Sequence, residues 1–169
     1  MSSSNPTSRR RRVAFANLGC RLNTSESDAV AARFVEAGYD VQFFDDSGRL
    51  PPDSKPDAVI VNTCTVTAQA DRKSRNLLSR AGRTSGPRPL VVATGCFATG
   101  SPQAAAAIAG VDYVVDNDRK AAVFDLVEAH LAGEVVFPEK LPADPFGYLA
   151  GVQPLHTRAT LKIQDGCDN

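Results

Sequence analysis

Short apolar, β-branched runs alternate with longer stretches of helical period along the first 131 residues. Val13 to Leu18, Val41 to Phe44, Ala58 to Thr63, Leu90 to Thr94 and Val111 to Val115 have the length and residue types of buried strands. Between them Val30, Phe34 and Ala37 recur at i, i+4 and i+7, and Ala70, Leu77, Leu78 and Ala81 share one side at 100° per residue. Asn23-Thr24-Ser25-Glu26-Ser27-Asp28 is dense in N-cap side chains, so the first helix is expected to start there and to stop at Gly38. Asp45 to Pro56 reads as a surface loop, and Ala68 to Arg83 as the second helix. Pro102 suits position N1 of an Ala-rich helix over Gln103 to Ala109, and Asp118 to Leu131 carries a last helical stripe. The order of elements predicts an α/β fold: a three-layer, Rossmann-like or flavodoxin-like parallel sheet with helices on both faces.

The pattern fails at both ends. Residues 1–12 are polar and close on Arg9-Arg10-Arg11-Arg12, read as a disordered basic arm that is either a solvated tail or a contact for RNA phosphates. Residues 13–131 form the predicted domain. Residues 132–157, rich in Gly and Pro, read as a linker over its surface. Ala159, Leu161 and Ile163 then alternate with polar residues, a strand without a partner in the preceding domain, so residues 158–169 read as the start of a second, truncated domain. Its exposed edge would favour aggregation.

Composition narrows the class. A chain of 169 residues, 43% of them hydrophobic, can bury one real core. The 19 basic and 19 acidic residues cancel, so any nucleic-acid contact must come from a local patch. One patch is available: Arg72, Lys73, Arg75, Arg80 and Arg83 gather on the polar side of the second helix, either as a solvated face or as a phosphate-contacting surface. There is no apolar leader, no apolar run near the ~18 residues of a membrane span, and no Cys-x-x-Cys pair among the four cysteines. A reducing, cytoplasmic setting with no membrane contact is the expectation.

The candidate chemistry lies at the strand ends. The first, third and fourth strands each finish on a cysteine: Cys20, Cys64 and Cys96. In a parallel sheet ligands bind outside the carboxyl ends of the strands, where these three thiols would converge. Cys20 and Cys96 each follow a glycine, which lets backbone approach a bulky group, and helix starts follow Cys20 and Cys64. Taken singly, a cysteine at a strand end is a small buried hydrophobe. Taken together, three thiols without a nearby histidine favour an iron–sulfur cluster with one open iron, or zinc with one open position. His130 and His156 fall in a helix and a linker and read as structural or solvent-facing. No phosphate-cradling glycine motif and no hydrolase triad is present.

Leu18-Gly19-Cys20-Arg21-Leu22-Asn23-Thr24-Ser25-Glu26-Ser27, Val61-Asn62-Thr63-Cys64-Thr65-Val66-Thr67 and Thr94-Gly95-Cys96-Phe97-Ala98 resemble the N-terminal domain of the radical-SAM methylthiotransferases, over residues 13–169. The resemblance implies that Cys20, Cys64 and Cys96 hold an auxiliary [4Fe-4S] cluster that delivers sulfur, drawn from sulfide or another donor. A second [4Fe-4S] cluster, on a Cys-x-x-x-Cys-x-x-Cys motif, cleaves S-adenosyl-L-methionine to a radical. Asn62 to Thr67 with Ala70-Asp71-Arg72-Lys73-Ser74-Arg75 is similar to the branch that methylthiolates N6-threonylcarbamoyladenosine beside the tRNA anticodon. Arg158 to Cys167 fits that branch and makes Cys167 the first cysteine of the radical-SAM motif. The chain stops at Asn169, before the remaining two cysteines, the SAM-binding barrel and an RNA-binding domain, so this stretch alone is expected to be inactive. Thr99 and Gly100 depart from the glutamine-containing continuation usual after the third cysteine. The implied partner is tRNA rather than DNA. Asn23 and Glu26 are either helix-capping residues or supports of the cluster ligands. The reading from another class is a non-catalytic α/β nucleotide-binding or regulatory module with buried structural cysteines.

Overall fold

The computed structural model describes residues 9–51, 53–83 and 87–148. Five strands make one parallel sheet: β1 Arg12–Asn17, β2 Asp40–Phe43, β3 Ala58–Thr63, β4 Leu90–Gly95 and β5 Tyr113–Val114, in the order β2-β1-β3-β4-β5. Of the two layouts left open by the sequence this is the flavodoxin-like one, whose strand order reverses between β1 and β3. β3 and β4 are buried at every position, which explains their unbroken apolar runs: a central parallel strand has no wet face.

Alternate residues divide the core into two halves. Val13, Phe15, Ile60 and Val92 face α1 (Arg21–Glu36) and α5 (Val123–Leu131). Ala14, Ala16, Val59, Val61, Val91 and Ala93 face α2 (Ala68–Ala81), α3 (Cys96–Gly100) and α4 (Pro102–Ala106). The first half is aromatic: the Phe34 ring lies 4.9 Å from Phe124, 5.1 Å from Tyr39 and 5.9 Å from Phe15, each edge to face. The second half carries alanines on β1 and β4, which let its helices approach closely.

Three local expectations change. α1 starts at Arg21, with Cys20 as its N-cap, and Asn23, Ser25, Glu26, Ser27 and Asp28 lie buried inside it rather than capping it. Their side chains look like caps in the sequence because they are hydrogen-bonding groups; here Asn23 and Ser27 bond the ends of neighbouring strands. The expected strand Val111 to Val115 contracts to β5 because the Asp112 carboxylate takes the Val91 N–H at 2.8 Å, a bond that another strand's carbonyl would otherwise accept. The expected helix Asp118 to Leu131 divides into a 3-10 turn, Asn117–Ala122, capped by Asp116 on the Arg119 N–H at 3.0 Å, and then α5.

The chain after α5 stays on the first half of the core, where Val136, Leu141 and Tyr148 pack. Of the arginine run, Arg9 pairs with Asp57 at 2.6 Å and Arg12 with Asp40 at 3.3 Å, while Arg11 donates to the Tyr39 hydroxyl at 3.2 Å. Those charges are committed to the fold. No described helix is long and apolar enough to cross a membrane. Residues 1–8, Cys167 and the expected strand over 159–163 lie outside the described residues.

Candidate functional site at the strand ends

β1, β3 and β4 are neighbours, and Asn17 pairs with Asn62, Asn62 with Thr94, and Thr63 with Gly95. That register places Cys64 and Cys96 one residue past paired positions on adjacent strands, about 5 Å apart in the sheet direction. Cys20 follows on the β1 side after the short Leu18-Gly19 loop. All three thiols thus stand at one end of the sheet, graded in access: Cys20 exposed, Cys96 intermediate, Cys64 buried.

Each cysteine is held by its backbone. The Cys64 N–H donates to Ser74 Oγ at 3.1 Å, and the same hydroxyl returns a bond to the Cys64 carbonyl at 3.0 Å, clamping the end of β3 to α2. Gly19, at φ +106°, packs so closely on Cys64 that an added Cβ would lie 2.6 Å from both its Cβ and its Sγ. Gly95, at φ +92°, lies against the Thr63 carbonyl and turns the chain directly into α3, whose first residue is Cys96. The Cys20 backbone caps α1, so its thiol stands at a positive helix end.

Beneath the thiols lies a polar layer. Asn23 Nδ2 donates to the Leu18 carbonyl at 3.0 Å and the Thr63 carbonyl at 3.1 Å, which ties the loop before Cys20 to the strand before Cys64. Asn62 Nδ2 donates to the Asn23 carbonyl at 2.8 Å and to Ser27 Oγ at 2.9 Å. Lys120 Nζ meets Glu26 Oε2 at 2.5 Å, with the two side chains 2% and 5% exposed. Burial pushes the Cys96 thiol up from its ordinary value and the Cys64 and Cys20 thiols push the same way, while the Lys120 charge and a hydrogen bond with Asn117 pull it down. The Cys96 thiol therefore feels both other cysteines.

Sequence reasoning missed Ser74, Asn117 and Lys120. Ser74 could have been found, since it shares the 74, 77, 78, 81 stripe of α2 with apolar residues and is fully buried there. Lys120 gives no such signal, standing in a charged run beside Asp118 and Arg119.

On the cationic face of α2, Arg75 is committed: it pairs with Asp71 at 2.9 Å and stacks on the Phe97 ring at 4.5 Å. Arg72, Lys73, Arg80 and Arg83 remain exposed. Lys73 and Arg80 line a cleft of about 790 Å³ together with Gly19, Asp45 and Ser47.

The thiols fit a multi-iron group by donor chemistry. They are soft ligands spread over three strands, and the Lys120 charge favours the thiolate form of Cys96. Among the described residues no three His, Cys, Asp or Glu side chains close on a single ion.

An α/β domain with three cysteines at its ligand-binding end is the class that fold and site define. Residues 12–116 match the family described as Uncharacterized protein family UPF0004, and the chain belongs to that family, the N-terminal domain of methylthiotransferases. It is 37% identical over 167 positions to a threonylcarbamoyladenosine tRNA methylthiotransferase of Aquifex aeolicus, covering 93% of this chain and 37% of the relative. The Bacillus subtilis protein of the same name is 33% identical over 93% of this chain and 34% of its own length. A ribosomal protein uS12 methylthiotransferase of Desulforudis audaxviator is 28% identical over 94% of this chain and 34% of its own length. The chain spans about a third of the length of these relatives.

Proposed function

We propose that this chain is the N-terminal, sulfur-supplying part of a methylthiotransferase that adds a methylthio group to N6-threonylcarbamoyladenosine in tRNA. Cys20, Cys64 and Cys96 would hold an auxiliary [4Fe-4S] cluster. The observation that carries this reading is the placing of three thiols beyond the carboxyl ends of three adjacent strands, at one end of the sheet. Three protein ligands leave one iron open, and a cluster so bound supplies a site at which sulfide or another sulfur donor is taken up. The chain's own part is to hold that group off the backbone and to keep one side of it accessible. Gly19 and Gly95 bring bare backbone beside the thiols, Ser74 fixes the depth of Cys64, and the exposed Cys20 marks the open side.

The choice of tRNA over a ribosomal protein rests on the threonylcarbamoyladenosine relatives and on the α2 cations that line the cleft beside Gly19. The radical step belongs to the rest of a longer protein, where Cys167 would be the first ligand of the cluster that cleaves S-adenosyl-L-methionine.

Iron and sulfide content after anaerobic reconstitution tests the proposal. About four irons per chain with a broad visible absorbance, lost in Cys64→Ala, is the expected result. An iron-free but folded protein overturns it in favour of structural cysteines.

A further inference from the structure

Lysine is almost never fully buried unless paired, and Lys120 is 2% exposed. Among the described residues its hydrogen-bond partner is Glu26, at 2.5 Å. A pair of this kind is a poor brace: removing both ions from water is costly, and well-packed apolar residues of similar volume hold as well or better. Its position in the site gives the pair another reason. Glu26 is on α1, the helix whose N-cap is Cys20, and Lys120 is on the 3-10 turn that begins at Asn117. Asn117 N–H also donates to Thr99 Oγ1 at 2.9 Å, which fastens the turn to α3 just beyond Cys96. The pair thus connects the helix capped by the first cysteine with the turn fastened to the helix that starts at the third, and the Lys120 charge acts on the Cys96 thiol.

Three thiolates outweigh the charge of an oxidised cubane core, so the site is anionic when loaded and more so after one electron is added. A fixed cation within a poorly hydrated wall stabilises that anion more than solvent-exposed charge would, and it favours the reduced form. On the basis of the cluster proposed above, we infer that Lys120, held by Glu26, is a positioning residue whose buried positive charge raises the reduction potential of the group bound by Cys20, Cys64 and Cys96.

The test is a redox titration of the anaerobically reconstituted protein, with dithionite as electron donor and electron paramagnetic resonance as readout. Lys120→Met is expected to lower the reduced-to-oxidised ratio at a fixed potential at least tenfold, a negative shift of about 59 mV for one electron. Lys120→Arg, which keeps the charge, stays near the unaltered protein, and Glu26→Gln shifts the other way. A purely structural pair would not make the potential follow the sign of the charge removed. If Lys120→Met leaves Glu26 too costly to bury, the double variant Glu26→Gln/Lys120→Met, compared with Glu26→Gln, carries the test with the same negative shift expected. Coincident potentials in either comparison overturn the inference and leave the cluster standing. An iron-free unaltered protein overturns both.

Discussion

Gly19 and Cys64 touch: a methyl group on the glycine would stand 2.6 Å from the cysteine sulfur. The contact is possible because Gly19 has no side chain and adopts φ +106°, which L-residues avoid. Gly19→Ala should therefore both strain the backbone and displace the thiol. We expect a loss of about 2 kcal/mol or more in urea denaturation. Iron uptake should fall with it; unchanged stability and uptake would show that the loop yields freely.

Ser74 satisfies the buried N–H and carbonyl of Cys64 with one hydroxyl. Ser74→Ala removes the partner and leaves the N–H dry, at a cost of about 1–3 kcal/mol. Denaturation midpoints at constant m-value would report it.

Tyr39 is buried against Phe34 and donates its hydroxyl to Glu128. Burial, and then the Glu128 bond, push its phenol above the ordinary value, although Arg11 pulls it back. A raised folded pKa means that the stabilisation is complete below the unfolded value of about 10 and disappears as pH climbs through the folded one. Tyr39→Phe should flatten the alkaline limb of the stability curve. The difference in tyrosinate absorbance between the two proteins gives the titration directly, and its midpoint is expected above that of a free tyrosine.

The α/β class and the placing of three cysteines at one end of the sheet were legible because both rest on period: apolar runs for strands, and the same ending on three of them. The polar layer below was not. Asn23, Ser27 and Glu26 have the composition of a helix cap, and only the folded chain shows that Asn23 reaches the Leu18 and Thr63 carbonyls and Glu26 reaches Lys120. The bonds from Asn23 to Thr63 and from Glu26 to Lys120 join residues 40 and 94 positions apart and leave no periodic mark. The Arg75 side chain escaped for a similar reason, since Phe97, which it covers, is adjacent only in space.

Removing Arg75 from the phosphate-contacting set sharpens one expectation. Arg72 and Lys73 are exposed and have no ion-pair partner among the described residues. If the protein of which this chain is the proposed N-terminal part binds tRNA, Arg72→Gln/Lys73→Gln should weaken that binding and reduce the slope of log affinity against log salt by roughly 0.7 to 0.9 for each phosphate no longer neutralised. Equal slopes would exclude the α2 face from the RNA surface.

The graded access of the three thiols sets the order in which they react. An alkylating agent or oxidant reaches exposed Cys20 first, half-buried Cys96 next, and Cys64 only when Gly19 lifts away from it. Timed alkylation read by peptide mass would show that succession. Because loss of the outermost thiol already leaves two donors where the proposed cluster takes three, the proposed site fails at its most exposed corner while the sheet beneath it remains intact.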